Sequence, residues 1–113
     1  MHELSLAQAL VDQVDDVLEG EGGGKVASVT VEIGAMSGVE RDAFEFAFPL
    51  ATEGTAMDGA KLIVCEVPLR IKCRSCGKES SPTPPMLLCS HCQSLDYEVL
   101  DGRDFLLKSL EVY

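Results

Sequence analysis

The stretch Cys73-Arg74-Ser75-Cys76, followed after twelve residues by Cys89-Ser90-His91-Cys92, decides how this chain is built. Each C-x2-C turn sets two sulfurs on one side of a tight bend. Two such turns facing each other supply a tetrahedral four-thiolate set for Zn2+. Gly77 stands just behind the first pair, where a knuckle turn needs positive φ. A segment this short has no core of its own, so the spacing predicts a metal-stapled insert whose folding energy comes from zinc binding, worth about 10–16 kcal/mol. Four thiolates close the coordination shell, which argues against catalytic zinc with an open position. A rubredoxin-type iron centre shares this S4 geometry, and spacing alone does not separate the two metals. A thiol redox pair needs one exposed cysteine of low pKa, not two symmetric pairs. His91, between the last two cysteines, reads as an exposed knuckle residue, the sharper alternative being that it tunes the cluster or substitutes for a neighbouring thiolate.

Outward from the cysteines the chain alternates helix and strand. Leu6, Leu10, Val14, Val17 and Leu18 recur at three- and four-residue intervals and predict an amphipathic helix. Ser5 and Gln8 match a capping box at its start, leaving Met1 to Leu4 as a free arm. The helix is expected to stop at Gly20, in a bend containing Gly22, Gly23 and Gly24. Ala27, Val29, Val31 and Ile33 then alternate with Ser28, Thr30 and Glu32, the pattern of a strand half covered by helices. A second helix is expected from Ser37, where Ser37-x-x-Glu40 repeats the capping pattern, packing through Val39, Ala43, Phe44, Ala47 and Phe48. Pro49 predicts a kink or an early end before Gly54. Leu62 to Leu69 reads as a second strand containing Cys65, a small buried hydrophobe. Tyr97 to Leu100 and Phe105 to Val112 read as two strands of a hairpin around Asp101-Gly102-Arg103.

With 113 residues there is room for one compact domain and a small appendage. The composition is 46% hydrophobic and 25% charged, enough apolar surface for a core and unlike a disordered chain. No apolar run approaches the roughly 20 residues of a membrane span, and the acidic first segment is unlike a secretory signal, so no membrane partner is expected and the location expected is the cytoplasm. Nine basic against nineteen acidic residues leave a net charge of -10, which repels phosphate backbones and disfavours nucleic acid as a partner. The charge is uneven. Between residues 70 and 95, Arg70, Lys72, Arg74 and Lys78 stand against Glu79 alone, a local +3 that leaves -13 elsewhere. Bound zinc and four thiolates would lower that +3 to about +1.

Met1-His2-Glu3 is short, and its plain reading is a start followed by two polar residues. Its chemistry is nonetheless specific. The α-amine, the His2 amide nitrogen and imidazole Nδ1 can form adjoining chelate rings, with the Glu3 amide as a fourth nitrogen. Square-planar nitrogen sets suit Ni(II) and Cu(II) rather than Zn(II). Glu3 could orient the imidazole, or simply favour a helix N-terminus.

Met1-His2-Glu3-Leu4-Ser5, the four-cysteine insert and the closing Leu107-Lys108-Ser109-Leu110-Glu111-Val112 together resemble the HypA/HybF family of hydrogenase nickel-incorporation proteins. Val31-Glu32-Ile33-Gly34, the Phe44 to Phe48 helix and Thr52-Glu53-Gly54-Thr55 follow in the family's order, while Pro49 departs from its usual pattern. The resemblance implies an α+β fold: a small two-helix domain with a mostly antiparallel three-stranded sheet, residues 1–69 and 96–113, carrying a zinc-ribbon-like insert at 70–95. It implies a nickel metallochaperone and not an enzyme. Met1, His2 and Glu3 would carry Ni(II), and Cys73, Cys76, Cys89 and Cys92 would hold Zn(II). A HypB GTPase and the large subunit of [NiFe]-hydrogenase are the implied partners. The competing reading is a zinc-ribbon interaction module, possibly one that binds nucleic acid, whose Met-His-Glu start is accidental; the acidic balance opposes it.

Overall fold

The computed structural model describes residues 2–113. Helix α1 (Glu3–Gly20) buries Ala7, Leu10, Val11, Val14 and Leu18 along one stripe. Its start differs from the sequence expectation. Leu6 donates its N–H to the His2 carbonyl at 3.1 Å, so His2 and not Ser5 is the N-cap, and the helix opens three residues earlier than expected. Only His2 of the described arm remains outside the helix. The chain then reverses through Gly22, Gly23 and Gly24, all at positive φ, a backbone that would strain other residues.

Strand β1 (Val26–Gly34) is the centre of a three-stranded sheet. Helix α2 (Arg41–Thr52) crosses over it and returns the chain to β2 (Lys61–Val67), which pairs with β1 in parallel. The sheet expected to be mostly antiparallel is therefore mixed, because a helical crossover brings the second strand back in the same direction. Strand β6 (Phe105–Val112) supplies the antiparallel neighbour on the other side. Pro49 stays inside α2, which ends at Thr52 before Gly54. The Thr52 hydroxyl donates to the Phe48 carbonyl at 3.0 Å in the last turn.

Both helices contribute to one core with the sheet, formed by Ala7, Leu10, Val14, Val29, Val31, Phe44 and Met57 among others. Phe44 lies at its middle, with its ring centroid 5.1 Å from Phe105 and 6.3 Å from Phe48.

A second sheet lies beyond Pro68. Strands β3 (Arg70–Cys73), β4 (Glu79–Ser80) and β5 (Tyr97–Asp101) pair antiparallel in the order β4-β3-β5. The hairpin expected between β5 and β6 does not form. Strand β5 pairs with β3 and β6 with β1, so Asp101-Gly102-Arg103 carries the chain from one sheet to the other. The two sheets give an elongated molecule of 51 × 26 × 17 Å. Its radius of gyration is 17.1 Å, against about 13 Å for a compact chain of this length.

The junction is held by main chain. The turn after β1 donates from Gly34 N–H to Asp104 O, from Ala35 N–H to Val67 O and from Met36 N–H to Gly102 O, each at 2.8 Å. The end of β2 and the segment between β5 and β6, where the chain passes between the sheets, are thereby tied to one turn.

Candidate metal centre and amino-terminal arm

Strand β3 ends on Cys73, and the two C-x2-C turns share one backbone pattern. In the first, Cys73 N–H donates to Lys78 O and Gly77 N–H returns a bond to Cys73 O, both at 2.9 Å. In the second, Cys89 N–H donates to Ser94 O at 2.9 Å and Gln93 N–H to Cys89 O at 2.8 Å. The residue four places after the leading cysteine takes positive φ in each turn, +75° at Gly77 and +62° at Gln93. Sequence reading found Gly77 and missed Gln93. The equivalence of the two positions was visible only in the spacing, since glutamine carries no turn signal.

The turns bring all four sulfurs together, within 4.8 Å of one another. Cys73 and Cys92 Sγ lie 3.5 Å apart, and Cys76 and Cys89 Sγ 3.7 Å. A tetrahedron with metal–sulfur bonds of about 2.3 Å has edges of about 3.8 Å, so these four thiols fit a single zinc-sized ion. None of them is in a disulfide. The leading cysteine of each pair is buried and the trailing one exposed. Besides Cys73 and Cys89, the buried apolar side chains along residues 69–101 are Leu69, Ile71 and Pro82, too few for an independent core.

Main-chain amides prepare these thiols for metal. The Cys76 N–H aimed at its sulfur brings Cys73 down from 9.0 to about 6, with burial opposing and the Cys92 thiol assisting. Cys89 is lowered in the same way, chiefly by the Cys92 amide. Cys92 receives the Ser94 amide, which lowers it, yet the surrounding Cys73, Cys89 and Cys76 sulfurs and burial together push it up to about 12. Four sulfurs in one pocket do not all ionise without a cation among them.

Surrounding groups brace the site. Tyr97 hydroxyl donates to Leu87 O at 3.0 Å and anchors the loop between the turns. Arg74 donates to Asp96 Oδ1 at 3.1 Å and to Tyr97 O at 2.9 Å. His91 Nε2 lies 3.2 Å from the Glu79 carbonyl oxygen, so its ring ties the second turn to β4. Cys65 lies apart, on β2 in the first sheet, and is half-buried rather than enclosed in the core as its strand position predicts.

Of the arm, Met1 lies outside the described residues. His2 is exposed at the N-cap, and its side chain makes no capping hydrogen bond. The amides of Glu3, Leu4 and Ser5 occupy the first helical turn, whose N–H groups have no carbonyl partner within the helix. Glu3 Oε2 accepts from the Glu40 N–H at a long 3.4 Å, linking the start of α1 to the N-cap of α2. Sequence reading missed Glu40 as a neighbour of the arm, since 37 residues separate it from Glu3.

A four-sulfur cluster in the second sheet and an exposed histidine at the start of the first helix thus occupy separate parts of one chain. No helix among the described residues is long and apolar enough to cross a membrane. Residues 1–112 match the family model described as hydrogenase/urease nickel incorporation, metallochaperone, hypA. The hydrogenase maturation factor HypA of Aquifex aeolicus is 41% identical over 112 residues, covering 99% of this chain and 97% of that protein. The same factor of Nitrosospira multiformis is 39% identical over 112 residues, with coverage of 99% and 97%. In fold, the chain is similar to the solution structure of the Ni metallochaperone HypA from Helicobacter pylori, with TM-score 0.71, 24% identity and coverage of 99% and 97%. It is also similar to a second solution structure of a HypA protein, with TM-score 0.72, 24% identity and coverage of 100% and 97%. Matched from end to end by that model and by these maturation factors, the chain belongs to the HypA family of nickel-incorporation metallochaperones.

Proposed function

We propose that this chain carries Ni(II) at its amino terminus during hydrogenase maturation and holds Zn(II) permanently at Cys73, Cys76, Cys89 and Cys92. The observation that carries the nickel assignment is His2: an exposed imidazole, without a capping bond, directly before the free amides of a helix N-terminus. With the α-amine of Met1 it offers nitrogen ligands suited to nickel, and Glu3 supports the site. Nickel is cargo here, bound by few side chains at a chain end where ligands exchange readily. Zinc neutralises the thiolates and staples the second sheet, and its closed shell leaves no position for catalysis.

On this reading the protein is not an enzyme, and it acts in the cytoplasm. It receives or passes nickel with a HypB GTPase and delivers it to the large subunit of [NiFe]-hydrogenase. The chain divides into a nickel-binding unit of residues 1–69 and 96–113 and a zinc-binding insert of 70–95. The pairing of β5 with β3 favours moving the second boundary beyond Asp101. The zinc-ribbon module that binds nucleic acid is not favoured, given the full-length family match and a net charge of -10.

The test is His2→Ala, with nickel binding followed by calorimetry and zinc quantified in parallel. Loss of specific nickel binding with zinc content and fold retained is the expected result. Undiminished nickel affinity in the variant would refute the assignment.

A further inference from the structure

Helix α2 carries an apolar ridge that the core does not use. Its inward side chains Phe44, Ala47 and Phe48 are buried, while Phe46 is 76% and Leu50 59% exposed. Pro49 is exposed as well, so Phe46, Pro49 and Leu50, at i, i+3 and i+4, form one outward patch. An exposed aromatic residue beside an exposed leucine and proline on a regular helix is an unusual use of apolar surface. Pro49 adds a polar feature to this patch. Having no N–H, it leaves the Glu45 carbonyl without its helical donor.

Charge identifies the occupant. Asp42 and Glu53 lie at the two ends of the ridge, within about 40° of Phe46 around the helix axis at 3.6 residues per turn. Glu45 lies alongside, already paired with Arg41. Helix α1, packed beside α2, bears Glu3, Asp12, Asp15, Asp16 and Glu19 and no basic residue. A second copy would bring the same carboxylates against these, and like charges disfavour that pairing. An anionic lipid surface would be repelled equally.

We infer that the Phe46-Pro49-Leu50 ridge of α2 docks a cationic amphipathic helix of a partner protein, whose apolar stripe covers the ridge and whose Lys or Arg residues meet Asp42 and Glu53. A basic side chain also has the donor that the Glu45 carbonyl lacks. This surface stands independently of where nickel binds.

The probe is a synthetic 18-residue amphipathic helix of leucine and lysine, titrated into the full-length, zinc-loaded protein and followed by amide NMR. Shift changes concentrated in residues 42–53, weakened about tenfold or more by Phe46→Ser/Leu50→Ser and reduced by salt, are expected. Both side chains are exposed, so zinc content and the circular dichroism spectrum should be unchanged. A leucine–glutamate peptide of the same pattern should not bind. Three results would overturn the inference: shift changes spread over α1 and indifferent to the double substitution; a dimer of the unliganded protein, seen by sedimentation, that the double substitution dissociates; or flotation with phosphatidylcholine–phosphatidylglycerol vesicles that depends on Phe46 and Leu50.

Discussion

Gly34 and Gly102 meet backbone to backbone where the two sheets join: a Cβ placed on Gly34 would stand 2.5 Å from the Gly102 carbonyl carbon. The same Cβ would stand 2.8 Å from the Asp104 carbonyl oxygen. Both atoms belong to the main chain, so no flexible side chain can yield. Gly102 is equally confined, at φ +90° with its own Cβ direction 2.7 Å from Leu69 Cα. The Gly34 and Met36 amides bond across this contact to the segment that carries β5 into β6.

Gly34→Ala should therefore lower stability by about 1–3 kcal/mol, the range for forcing an extra carbon into a packed site. Gly102→Ala should cost more, because positive φ adds to the clash. Gly20→Ala meets nothing within 4 Å and should be neutral or slightly stabilising. Urea denaturation of the three variants gives this ordering, and equal midpoints for Gly34→Ala and Gly20→Ala would contradict it.

Zinc removal should melt one sheet and spare the other. The first sheet and its helices keep Phe44, Met57 and the rest of their core, whereas the second loses the group that substitutes for one. Chelation, or Cys73→Ser, should collapse the amide dispersion of β3, β4 and β5 while α1 and β1 remain protected from hydrogen exchange. Loss of both sheets in one transition would contradict the prediction.

Gln93 pays the conformational penalty that Gly77 avoids at the matching position of the other turn. Gln93→Gly should raise zinc affinity by up to about fivefold, equivalent to about 1 kcal/mol of relieved strain. A β-branched residue there should lower it, and Gln93→Val is the informative comparison. Competition against a colorimetric chelator measures both.

Nickel binding should weaken as the pH falls, since amine and imidazole are ligands only when neutral, and protons compete with the metal for them. Zinc should stay bound through the early part of that fall, because four sulfurs grip it in a closed shell. Extra residues placed before Met1 would remove the α-amine and should abolish the square-planar optical band of the nickel complex. Persistence of that band in the extended chain would remove the amine from the ligand set.

Much of this architecture was legible because its code is local. Both knuckles follow from C-x2-C spacing, α1 from a period of three and four, and β1 from alternation, each confined to a few neighbouring residues. Helix starts were less legible because capping signals compete with tertiary contacts. Ser37 Oγ accepts from Val39 N–H at 3.2 Å, two residues on, so it closes a turn and α2 begins only at Arg41. Ser5 lies within α1, whose start is drawn back to Glu3 by the bond from Leu6 to His2 and by the reach of Glu3 to Glu40.

By itself, the order of residues determined the four-sulfur site and the two amphipathic helices, both matters of spacing along the chain. Tertiary structure alone decided which strands pair. Asp101-Gly102-Arg103 carries a turn signal whether the flanking strands face each other or part, and positive φ at Gly102 serves either path. Main-chain hydrogen bonds to partners distant in sequence sent β5 to β3 and β6 to β1. Those bonds form only once the sheets and their shared turn have been assembled, which is why no local pattern announces them.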